Sequence, residues 1–358
     1  MKSFSKSVLG KVRKTNQDYC IVKNEYIGIF NNLFIVADGV GGNSKSAFAS
    51  KHSCDFLVEQ LSKTHKGQNI IEELSTAIKL ANTDLYYRIM SNEDYNGMGT
   101  TLVCATVSEE RLVVANIGDS RCYYIRKGLI TQITHDHSVA EELVRAKEIE
   151  RNSEKYYEYK NQLTRAVGAS RKIRPDFFEL ELQENDYILL CTDGLTNMVT
   201  EEYISSIVSK LELTLEDKVN LLIDKANENG GKDNITIVLV KIDKEDLFKK
   251  IDDIVIDLNQ NDDNEIVSQN KPDSNLVSPD DILNMYKPKG FNSIYRNSIM
   301  IDENENMSNL KVDPESFINK RDTKLYEGMI GRSRKRKLDD INIEDANNIE
   351  RKEDDNNE

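Results

Sequence analysis

Histidine is scarce in this chain: four in 358 residues, at His52, His65, His135 and His137. A histidine-rich metal site is therefore not expected. The five cysteines, Cys20, Cys54, Cys104, Cys122 and Cys191, are odd in number, scattered, and form no C-x-x-C pair. They read as reduced core thiols in a reducing compartment. No run of about 20 apolar residues exists, so no transmembrane helix is expected. The N-terminal "MKSFSKSVLGKVRK" lacks the apolar stretch of a signal peptide. Basic charge is in short supply too: 48 Lys and Arg stand against 62 Asp and Glu, a formal charge of −14. That argues against general nucleic-acid or anionic-membrane binding, either of which needs a basic face.

The common phosphate loops are missing as well. "DGVGG" begins at Asp38, but the dinucleotide pattern G-x-G-x-x-G would need a glycine where Ser44 stands, and no G-K-[ST] follows. Asp38 also lacks the second Asp, two residues on, of an aspartyl-phosphate hydrolase; Val40 is there. "HDHS" (His135–Ser138) has two histidines at i and i+2, as some zinc hydrolases do, but Val139 follows where a further acid is wanted. It reads instead as a turn into a helix capped by Asp136 or Ser138.

What is present divides in two. Up to about residue 242, apolar runs, glycine turns and amphipathic stretches recur. Beyond it lie segments such as "IDLNQNDDNEIVSQNKPDSN". Residues 241–358 carry 19 Lys and Arg and 28 Asp and Glu, so −9 of the −14 sits there. Such composition buries too little apolar surface to offset ordering entropy, and 243–358 is expected to be a mostly disordered tail. Within it, "SPDDILNMY" has a helix-start pattern. "RSRKRK" (Arg332–Lys337) is a basic cluster that would suit nuclear import in a eukaryotic host. In 1–242 the patterns predict strands at 19–23, 33–37, 100–107, 111–117, 121–125, 187–192 and 235–241. Helices are predicted at 44–62, 69–90, 138–151, 201–209 and 215–228. "TTLVCATV" and "RLVVANIG" separated by "SEE" form a hairpin signature, which points to antiparallel sheet.

Five acids stand at strand edges or in polar turns: Asp18, Asp38, Asp119, Asp193 and Asp233. Each alone suits a structural turn; three of them abut a glycine. If several meet, they repel: two unit charges about 4 Å apart do so by roughly 4 kcal/mol at an effective dielectric of about 20. Divalent cations neutralise such a group compactly. Carboxylates and a carbonyl such as that of Gly39 are hard oxygens, which favour Mg²⁺ or Mn²⁺ over Zn²⁺.

Eight segments, taken in order, carry a likeness: "GKVRKTNQD", "FIVADGVGG", "GTTLVCATV", "ANIGDSRCYYIRKG", "THDHS", "NQLTRAVG", "ILLCTDGL" and "GGKDNITIVLV". Over about residues 3–242 the chain resembles the metal-dependent protein serine/threonine phosphatases of type 2C, in their bacterial form. The resemblance implies an α+β fold, a four-layer α-β-β-α sandwich of two antiparallel sheets with a helix pair on each outer face. It implies two Mn²⁺ or Mg²⁺ ions that make a water nucleophilic toward phosphoserine and phosphothreonine. In that reading Asp38 bridges the two metals and the Gly39 carbonyl serves one of them. Asp193 and Asp233 ligate the other, Asp18 acts through a coordinated water, and Asp119 serves a third, weaker metal. Arg13 grips the phosphate and Asn234 braces the Asp233 turn.

Two positions depart from the pattern. Gln17 stands where many relatives have Glu, which removes one negative charge and lowers the expected metal affinity. Val40 stands where eukaryotic members have a histidine, which bacterial members also lack. Residues 138–168 fit the mobile flap of bacterial members, with Tyr156, Tyr157 and Tyr159 as substrate contacts or a plain helix surface. The resemblance further implies phosphoprotein substrates, a counteracting serine/threonine kinase, and a monomeric cytoplasmic enzyme. Two readings compete with it: a phosphatase-fold binding module with weak or no catalysis, and a nucleotide enzyme built on carboxylate-bound metals.

Overall fold

The computed structural model describes residues 1–41 and 45–248. The expected tail disorder, the helix at "SPDDILNMY" and the "RSRKRK" cluster all lie outside the described residues. So does Ser44, at the expected start of the first helix.

Two antiparallel sheets make up the centre. One runs β2 (Asp18–Lys23), β3 (Leu33–Val40), β5 (Leu102–Ser108), β6 (Arg111–Ile117) and β9 (Asp176–Glu181), with the short β4 (Gly99–Thr100) on β3. The other runs β1 (Lys2–Val8), β11 (Ile235–Lys241), β10 (Tyr187–Cys191), β7 (Arg121–Arg126) and β8 (Leu129–Gln132). Helices α1 (Ser46–Leu61) and α2 (Ile70–Ser91) cover the first sheet. Helices α6 (Glu201–Val208) and α7 (Leu215–Glu228) cover the second. The expected four-layer α-β-β-α sandwich is the observed architecture.

Side-chain parity explains why the central strands read as unbroken apolar runs. On β3, Leu33, Ile35 and Ala37 face α1 and α2, while Phe34 and Val36 face the other sheet. On β10, Tyr187, Leu189 and Cys191 face α6 and α7, while Ile188 and Leu190 face inward. A strand buried on both faces needs apolar residues at every position, not at alternate ones. The inner layer between the sheets is built from Phe34, Val36, Val103, Leu190, Val238 and their neighbours.

The patterns missed β1, β4, β8, β9 and the four-residue α5 (Asp193–Thr196). Of these, β1, β8 and β9 are three of the four sheet edges; the fourth, β2, was marked by its run of Tyr19, Cys20, Ile21 and Val22. Edge strands are kept short and polar because they would otherwise pair with other chains. β1, "KSFSKSV", puts only Phe4 and Val8 into the core, and no residue of it is fully buried. The helix expected over 138–151 ends early, as α3 (Val139–Arg145), and a second short helix that the patterns did not mark, α4 (Glu154–Tyr159), follows beyond that range. Lys147 and Asn152 take left-handed backbone between them (φ 60° and 68°), which an α-helix does not tolerate. The packed chain also continues past Ile242: Lys244–Phe248 forms a 3₁₀ turn, and Leu247 closes onto the inner layer.

Phe34 is fully buried between the sheets. Phe34→Ala should cost about 3–5 kcal/mol of stability, read as a lowered urea midpoint. A loss below about 1 kcal/mol would show that the sheets do not pack face to face here.

Candidate metal centre

At one end of the sandwich the inner layer turns polar. On β3 the inward parity of Phe34 and Val36 continues to Asp38. On β2 the parity of Cys20 and Val22 continues to Asp18. The β2–β3 register sets Asp18 directly opposite Asp38. From the facing sheet, Thr192 follows β10 and Thr236 lies on β11. Both hydroxyls donate to Asp18 Oδ2, at 2.9 and 2.6 Å. One carboxylate oxygen thus ties the two sheets together where no apolar side chain does.

The other acids come from turns at the same end. Asp193 opens α5, with Asn197 Nδ2 donating to its Oδ2 at 2.9 Å. Asp233 sits in the turn between α7 and β11; a Cβ on Gly194 would lie 3.5 Å from the Asp233 Cβ, so the Asp193 and Asp233 turns are in contact. Asp119 occupies the β6–β7 turn. Gly39 permits the close approach that the site requires. A Cβ there would stand 2.2 Å from the Ser46 carbonyl oxygen and 2.7 Å from that of Gln17, so any side chain would push α1 off β3.

Arg13 lies on the loop after β1, and its Nη2 donates to Asp233 Oδ2 at 2.6 Å. Asn234 staples that loop in place. Its Nδ2 donates to the Leu9 and Thr15 carbonyls (3.0 and 3.1 Å), and its Oδ1 accepts from the Gln17 amide (2.9 Å). The Gln17 carbonyl accepts from the Gly39 amide and the Ser50 hydroxyl. The main chain of Gln17 therefore joins the Asp18, Asp38 and Asp233 segments whatever its side chain carries.

Electrostatics mark the place. Burial, and then the neighbouring Asp193 and Asp233, raise Asp18 to about 7 despite its two threonine bonds. Burial and Asp233 raise Asp193 to about 6. Burial together with Asp18, Asp193, Asp119 and Asp233 holds Asp38 well above the usual carboxylate range, and Asp119 is raised by burial and Asp193. Asp18 Oδ1 and Asp193 Oδ1 are buried with no hydrogen-bond partner. Unpartnered buried carboxylate oxygens cost free energy unless a cation takes them up. Among the described residues no three acid, imidazole or thiolate groups close on one point as a finished cage. Mg²⁺-type sites are built this way, with a few carboxylates and several retained waters. The donor set fits hard divalent ions.

"HDHS" belongs to the scaffold. The Gly118 amide donates to His137 Nδ1 (3.1 Å), and His137 Nε2 faces Asp176 (3.2 Å). Burial pushes the His137 pKa down. Ser138 caps α3, while Asp136 takes a bidentate pair from Arg121. Beside Asp119 and Asp193 opens a cavity of about 420 Å³, walled by α4 and the start of α6. Tyr156, Tyr157 and Lys160 line it; Tyr159 does not.

The protein phosphatase 2C family model matches residues 11–226. The chain belongs to the protein phosphatase 2C family. It is 38% identical over 242 residues to the serine/threonine phosphatase stp of Listeria monocytogenes, covering 65% of this chain and 93% of that one. The structure of the S. agalactiae serine/threonine phosphatase superposes with a TM-score of 0.63 at 32% identity, over 68% of this chain and 99% of that chain. The catalytic domain of the phosphatase PstP, solved with two manganese ions, superposes at 0.58 with 29% identity, over 68% and 98%. Family membership and fold thus agree with the resemblance seen in the sequence.

Sequence patterns missed Thr192, Thr236, Thr101, Asn197 and Lys160. The threonines had a signal: in "CTDG" and "NITI" a hydroxyl replaces an apolar residue at inward parity. Thr101 Oγ1 accepts from the Asp38 amide at 2.8 Å. Lys160 Nζ donates to Asn197 Oδ1 at 2.7 Å, so α4 reaches Asp193 through one amide.

A carboxyl group whose folded pKa exceeds its unfolded value of 3.8 favours folding while protonated. That contribution is complete below about 4 and is lost as pH rises through 6 and 7. Chelated protein should therefore lose melting temperature between pH 5 and 8 through Asp18, and Asp18→Asn should lessen the drop. A drop of the same size in Asp18→Asn would contradict the raised pKa.

Proposed function

We propose that this chain hydrolyses phosphoserine and phosphothreonine in phosphoproteins with two Mn²⁺ or Mg²⁺ ions. The observation that carries the reading is the junction itself. Asp18 and Asp38 stand side by side on one sheet, Asp193 and Asp233 come from the other half, and Arg13 is hydrogen-bonded to Asp233. In this reading Asp38 would serve both ions and the Gly39 carbonyl one of them, Asp193 and Asp233 would hold the other, Asp18 would stand behind, and Asp119 would offer a third site. Bound divalent ions lower the pKa of water toward neutrality and offset phosphoryl charge.

The protein's own groups do the positioning. Arg13 presents a planar fork that matches two phosphoryl oxygens. Its side chain is 43% exposed while its Nη2 is anchored on Asp233, so the phosphate is received at the acidic centre and faces outward. Asn234 fixes the loop that bears Arg13. Thr192 and Thr236 hold Asp18 in one rotamer, leaving its second oxygen unshared. Asn197 does the same for Asp193. Val40 donates no proton, and the leaving oxygen takes its proton from water.

The catalytic unit in this reading is residues 1–242, with the short turn after it as a seal. Five unpaired thiols, four of them buried, suit a reducing cytoplasm. A serine/threonine kinase would supply the substrates, and the enzyme acts as a monomer.

A phosphothreonine peptide should be turned over with Mn²⁺ and not with chelator, and Asp38→Asn should abolish turnover. Arg13→Ala should lower kcat/KM by roughly 10², the scale of one lost charge-stabilising donor. Full activity in Asp38→Asn would remove the reading.

A further inference from the structure

One side of the acidic centre carries lysines that its chemistry does not use. The loop "KVRK" (Lys11–Lys14) is exposed throughout, with Val12 63% accessible at its middle. It cannot swing away. The Lys11 and Val12 amides donate to the Gly231 carbonyl at 2.7 and 3.3 Å. Gly10 packs so tightly that a Cβ there would lie 2.1 Å from the Asp233 carbonyl oxygen. The loop is therefore zipped onto the turn that holds Lys232 and Asp233, and Lys11, Arg13, Lys14 and Lys232 share one rim. Around the centre, Lys232 is close enough for its charge to act on Lys160 at the cavity mouth. Arg13 is paired with Asp233. Lys11, Lys14 and Lys232 have no carboxylate partner among the described residues.

Three unpaired lysines fixed around one site are unexpected in a chain of charge −14. Lys11 is held by its own amide on Gly231, Lys14 follows Arg13 directly, and Lys232 directly precedes Asp233. Consecutive Cα atoms lie about 3.8 Å apart, and an extended peptide advances about 3.3–3.6 Å per residue. A phosphopeptide seated on Arg13 therefore passes two or three residues of its chain across this rim. The far wall differs: the start of α6 brings Glu201 and Glu202 to the cavity.

Resting on the phosphatase reading above, we infer that Lys11, Lys14 and Lys232 select substrates in which carboxylates flank the phosphorylated residue on one side. A positive rim over a low-dielectric cleft raises both encounter rate and local concentration of such peptides. The selectivity is electrostatic, so salt erodes it within a Debye length of about 10 Å at 0.1 M.

Full-length protein with Mn²⁺ is assayed on four phosphothreonine peptides: acidic residues on the N-terminal side, acidic on the C-terminal side, all neutral, and basic on both sides. p-Nitrophenyl phosphate, which has no flanks, reports the centre alone. At low salt one acidic peptide should exceed the neutral one in kcat/KM by about tenfold, and the basic peptide should fall below it. In Lys11→Ala/Lys14→Ala/Lys232→Ala the ratio should shrink to about twofold or less, and the corresponding Glu variants should invert it. An acid-to-neutral ratio near one in the wild type, with p-nitrophenyl phosphate turned over, overturns this inference and leaves the phosphatase reading intact. A tenfold ratio that survives in the triple Ala variant overturns it as well. No turnover of p-nitrophenyl phosphate removes both.

Discussion

Four carboxylates at the open end of one sandwich repel one another, and the fold keeps them there. Burial and mutual repulsion raise Asp18, Asp38 and Asp193 above the ordinary carboxylate range. The structure offers only partial relief. Thr192 and Thr236 satisfy one oxygen of Asp18, and Asn197 one of Asp193. The second oxygen of each stays unpartnered. A protein that leaves such groups unsatisfied in its interior is built to be completed by something positive.

The rest of the architecture follows from that constraint. Two sheets that faced each other with apolar side chains throughout would close the end completely. Here Phe34 and Val36 give way to Asp38 on β3, and Val238 gives way to Thr236 on β11. The same parity that makes a core one turn earlier makes a site at the rim. The polar staples lie in the main chain as much as in side chains. Gln17 joins three segments through its amide and carbonyl, and Gly39 lets α1 approach β3. The frame at Gln17 is therefore held by its amide and carbonyl.

Much of this was legible in the sequence. The doubly buried central strands announced themselves as apolar runs, and "ADG" and "TDG" at their tips marked the acids. The edge strands β1, β8 and β9 were not legible, because none of them buries a residue fully and so they carry little periodic signal, whereas the edge strand β2 was legible from its apolar run. The break between α3 and α4 was hidden because a left-handed residue such as Lys147 has no compositional mark. Thr192 and Thr236 escaped notice for another reason. Threonine is a good strand former, so a hydroxyl placed to hold a carboxylate looks like ordinary strand sequence until parity and register are known. Lys160 and the lysine rim were invisible for want of three-dimensional adjacency.

The central claim is that these acids share divalent ions. Crystals grown with Mn²⁺ and measured at the manganese absorption edge test it most directly. The account predicts two strong anomalous peaks between Asp38 and the Asp193 and Asp233 turns. Density without such peaks at saturating Mn²⁺, or peaks confined to the outer surface, would contradict it.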